Sequence, residues 1–166
     1  MAADRGSGEP HGSVRPAVAL AFASMAFVAL VIFALGMTSL VTGEDIIATP
    51  GLGQVPGIAG VVCALLAFAG GLWASIGRAE ERHPSFWGAA WTTAASFLAY
   101  IGGVWLGALF TGADLGVATG VAGRLATSWF GVAVAAAAFV CAWSGIALVR
   151  TRAQRPRWPW EDEHDE

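Results

Sequence analysis

The chain has 166 residues, 56% of them apolar and only 13% charged, with a formal net charge of −3. A soluble domain carries about 25% charged residues, and a disordered chain or a disulfide scaffold is poorer in apolar residues or richer in cysteine than this one. What remains is an all-α integral membrane protein, and the pattern predicts a four-transmembrane-helix bundle with both termini cytoplasmic.

Residues 1–16, MAADRGSGEPHGSVRP, combine glycine, proline, serine and mixed charge, which predicts a disordered cytoplasmic tail. Pro16 suits the first turn of a helix, where its missing N–H has no helical partner. The first apolar run covers 17–41. At about 25 residues it is longer than the 7–15 of a signal-peptide core, so it reads as a retained span. The loop after it, TGEDIIATPGLGQVP, is punctuated as turns by Gly43, Pro50, Gly51 and Gly53. Glu44 and Asp45 read as solvated carboxylates; no histidine or cysteine stands near to build a metal site with them.

Pro56 can open the second span, 55–77. The polar loop RAEERHPSF follows, with weak surface pairing expected among its arginines and glutamates, and His83 read as a loop residue before Pro84. The third span, 86–110, holds the densest polar group: Thr92, Thr93, Ser96 and Tyr100. Ser96 and Tyr100 are four apart and share a face with Thr92 or Thr93. Such hydroxyls bond their own helix or a neighbouring one; the functional alternative is a narrow polar path along Thr92, Ser96 and Tyr100. Tyr100 is the single tyrosine and lies near mid-span, where a buried hydroxyl needs a partner. Gly103 and Gly107 form a GxxxG spacing suited to close helix packing.

Residues 111–127, TGADLGVATGVAGRLAT, are rich in glycine and only mildly polar. They read as a loosely structured loop on the outer membrane surface, with a short interfacial or re-entrant helix as the alternative. The fourth span follows at 127–149. Beyond it, Arg150, Arg152, Arg155 and Arg157 are placed to anchor on anionic lipid headgroups at about 1 kcal/mol each. An acidic end, residues 161–166, closes the tail.

The arginines orient the bundle. Arg5, Arg15, Arg78, Arg82 and the four after the last span fall on one side if there are four spans, and Arg124 alone falls on the other. This bias places the termini in the cytoplasm and the protein in the inner (plasma) membrane as a multi-pass protein. Trp73, Trp91 and Trp143 then lie near the inner ends of their spans and Trp105 and Trp129 near the outer ends, as an aromatic belt requires. The arginine-only, alanine-rich composition resembles that of proteins from GC-rich bacteria.

No ionisable residue lies well inside a span, which speaks against proton coupling and haem ligation. Cys63 and Cys141 fall at different depths and do not suit a disulfide. Small multidrug exporters are similar in span number, but the membrane glutamate of that family has no counterpart here. Small fluoride channels are similar in size, but their buried asparagine is missing from a chain without asparagine. The expectation is therefore a non-enzymatic protein with no catalytic residues, cofactor or metal. Its partners are membrane lipids and another membrane protein or a second copy, with no nucleic acid. An accessory or assembly subunit is the first reading, and a small oligomeric channel or transporter is the alternative.

Overall fold

In the computed structural model the described residues are 15–47, 49, 51–77 and 86–150. They form five helices: α1 (Pro16–Thr42), α2 (Val55–Gly77), α3 (Phe86–Phe110), α4 (Leu115–Thr127) and α5 (Trp129–Arg150). The expectations for residues 1–14, for the loop around His83 and for Arg152, Arg155, Arg157 and the acidic end lie outside the described residues.

Four of the helices are long and apolar enough to cross a membrane. The shortest, α5, has 22 residues, which at 1.5 Å per residue reaches about 33 Å against a hydrocarbon core of about 30 Å. Each long helix buries one narrow stripe and exposes apolar side chains elsewhere. On α1 the buried stripe is Ala19, Ala23, Phe27, Val31 and Leu35, a strict four-residue ladder. Phe22, Phe33 and Leu40 on its other faces are exposed. A helix that is apolar all round is at home in hydrocarbon, not at a water surface.

Consecutive long helices run antiparallel, and α5 returns to pack on α1 and α3. Gly145 of α5 meets Ala23 and Leu72, which joins the first, second and last spans at one level. α1 begins with Pro16 at its first turn and stops at Gly43, whose φ of 68° is the left-handed conformation that glycine takes without a Cβ clash.

α4 corrects the loop expected at 111–127. It is a helix of 13 residues, about 20 Å long and too short to span. Asp114 caps it by accepting the Val117 N–H at 2.9 Å, and Arg124 sits in its last turn, where a cation complements the helix dipole. Ala118, Val121, Ala122 and Leu125 form the buried stripe by which it packs on α3 and α5. Its glycines, which suggest a loop, leave the opposite face bare and do not interrupt that stripe. Trp105 Nε1–H donates to Thr119 Oγ1 at 3.3 Å and fastens α3 to α4.

Extended backbone at Ser128 separates α4 from α5. The corner is tight: a Cβ on Gly131 would stand 2.6 Å from the Leu125 carbonyl oxygen. The last long helix therefore begins at Trp129, directly after this corner.

Candidate functional site

The two interfaces of α2 are built differently, and the difference creates the site. Against α3 the backbones touch. A Cβ added to Gly103 would lie 2.7 Å from the Ala59 oxygen and 2.9 Å from Gly60 Cα, and one added to Gly107 would lie 2.7 Å from Pro56 Cα. Against α1, contact is made through large side chains. Phe27 and Phe68 stack with centroids 4.4 Å apart and planes 4° from parallel, and both are buried. Above that stack, toward the α4 end, the space between α1 and α2 is open.

The opening is a cleft of about 730 Å³. Leu35 and Gly36 line it from α1, Gly57 and Val61 from α2, and Ile46 and Ile47 from the connecting loop. Ile32, Ile58 and Val62 stand at its rim and are exposed, so it opens sideways between the two helices. Its polar residues sit at two levels. Ser39, Asp45 and Gln54 lie at the loop end, and Tyr100 of α3 backs the inner wall while staying fully buried.

Tyr100 is fully buried, and its hydroxyl has no hydrogen-bond partner among the described residues. The ring is seated by Gly60: a Cβ there would lie 3.1 Å from the ring's Cδ2 and Cε2 and 2.6 Å from Val104 Cγ2. A buried hydroxyl left unpaired costs about 1–3 kcal/mol.

The other hydroxyls of the polar group are turned away from any passage. Thr92 Oγ1–H donates to the Gly88 oxygen at 2.8 Å, Thr93 to Ala89 at 2.8 Å, and Ser96 to Thr92 at 2.7 Å. Each bonds the carbonyl one turn back on its own helix, a common resting place for hydroxyls in apolar helices. Thr92 and Ser96 are buried. Thr92 is also the surface on which Gly71 of α2 rests. The structure thus keeps Thr92, Ser96 and Tyr100 on one buried face and brings only Tyr100 to the cleft.

The loop roof is tied down twice at Glu44. Ser39 Oγ–H donates to the Glu44 oxygen at 2.7 Å. Arg124 of α4 pairs with Glu44 at 3.2 Å, and both side chains are about half exposed. Asp45, the neighbouring acid, has no partner among the described residues and faces the cleft mouth. Reading the sequence assigns the two acids the same solvated role; only the fold separates the paired one from the free one. Cys63 and Cys141 are both free thiols. Arg150 is the last residue of α5.

The chain belongs to a family of unknown function, DUF6121, whose model matches residues 12–166. No curated protein and no solved structure matches it.

Proposed function

We propose that this multi-span helical membrane protein is a non-enzymatic accessory or assembly subunit of a bacterial plasma membrane. It works by holding another membrane component and does not conduct a solute. The observation that supports this reading is the disposition of the span-three hydroxyls. A polar path needs donors turned toward a hydrated passage, whereas Thr92 and Ser96 give their protons to carbonyls of their own helix and are buried. The opening that does exist faces sideways, where a lipid or a neighbouring protein would lie. The arginine bias orients it: Arg78, Arg82 and the arginines from Arg150 onward belong to the cytoplasmic side, which puts α4 and the cleft mouth on the outer side.

The test is purification from the native membrane in gentle detergent, followed by intact-complex mass determination. A stoichiometric heterologous membrane protein is the expected result. A homodimer alone that carries solute flux in liposomes, with that flux reduced by Ser96→Ala, overturns the reading in favour of transport.

A further inference from the structure

We draw no further inference here: the strongest candidate, the sideways-opening aliphatic cleft between α1 and α2, carries none because the Tyr100 hydroxyl is sealed behind its inner wall and nothing in the structure shows what covers it.

Discussion

α2 meets α3 on one side and α1 on the other, and the two contacts obey different rules. On the α3 side, glycines from both helices make the close approach: Gly103 and Gly107 of α3 and Gly71 of α2 meet the partner's backbone, while Gly60 and Gly88 are filled by side chains across the joint. On the α1 side, the stack of Phe27 on Phe68 acts as a fulcrum, and Gly36 has nothing within 4 Å of the place its Cβ would take. Helices in hydrocarbon gain little from apolar transfer, so association rests on close contact. The α2–α3 pair has that contact along much of its length. The α1–α2 pair has it only at the fulcrum, and the remainder is open to a third body. A small-residue pattern in the sequence therefore marks two opposite things, a sealed joint and an open slot, and the facing helix decides which.

The largest test of this contrast is Gly103→Leu. No rotamer relieves a Cβ that starts 2.7 Å from a backbone oxygen and 2.9 Å from a backbone carbon, so α3 must move off α2. We expect a loss of about 3 kcal/mol, at the upper end of overpacking costs, measured by unfolding in mixed micelles. A loss below about 1 kcal/mol would mean that the two helices are not locked by backbone contact.

Tyr100→Phe acts at the junction of the two interfaces and should move stability the other way. The ring keeps its seat against Gly60 while the unpaired oxygen is removed, so lipid-free protein should gain about 1 kcal/mol. A loss of that size, measured in the same micelles, would reveal a partner for the hydroxyl that the described residues do not supply.

Gly36→Ala is the counterpart of Gly103→Leu on the open side. The position lies inside α1 and lines the cleft, with free space for the methyl. Replacing a mid-helix glycine by alanine should stabilise the chain by about 0.5–1 kcal/mol. Melting that falls instead would show that α1 closes on α2 more tightly than the cleft implies.

Much of this architecture was legible in the sequence because hydrocarbon leaves few alternatives. A run of more than twenty apolar residues has one way to satisfy its backbone, and Pro16 and Pro56 sit where a helix start tolerates them. α4 was harder to see. Its cap at Asp114 and its stripe of Ala118, Val121, Ala122 and Leu125 are helical signals, but Gly116, Gly120 and Gly123 lower helix propensity, and the stripe stabilises only when the bundle end lies beneath it. The site was legible only as a lone tyrosine in need of a partner. That Ser96 turns to the Thr92 carbonyl is the local bonding the sequence already suggests, but that Tyr100 lines a cleft depends on how α1 meets α2, where Phe27 stacks on Phe68 across 41 positions of chain. Local pattern does not carry that information.

The smallest expected effect is the most local. Arg124→Gln breaks the ion pair that ties α4 to the loop above the cleft. With both side chains about half exposed, the pair contributes about 0.5 kcal/mol or less to global stability, and salt screens it further. Its consequence should appear instead in the loop, which among the described residues is otherwise held by the Ser39–Glu44 hydrogen bond and by Ile46, Ile47 and the buried Leu52. Amide exchange of Ile46 and Ile47 should quicken in Arg124→Gln, and in the parent chain at high salt, while exchange along the Gly103 face of α3 stays unchanged. That separation follows from the structure: the α2–α3 contact is held by van der Waals contact between backbones, which salt does not reach, and the loop is held partly by a charge pair in water. Faster exchange on both sides at once would mean that the two interfaces open together, and that the cleft and the sealed joint form one cooperative unit.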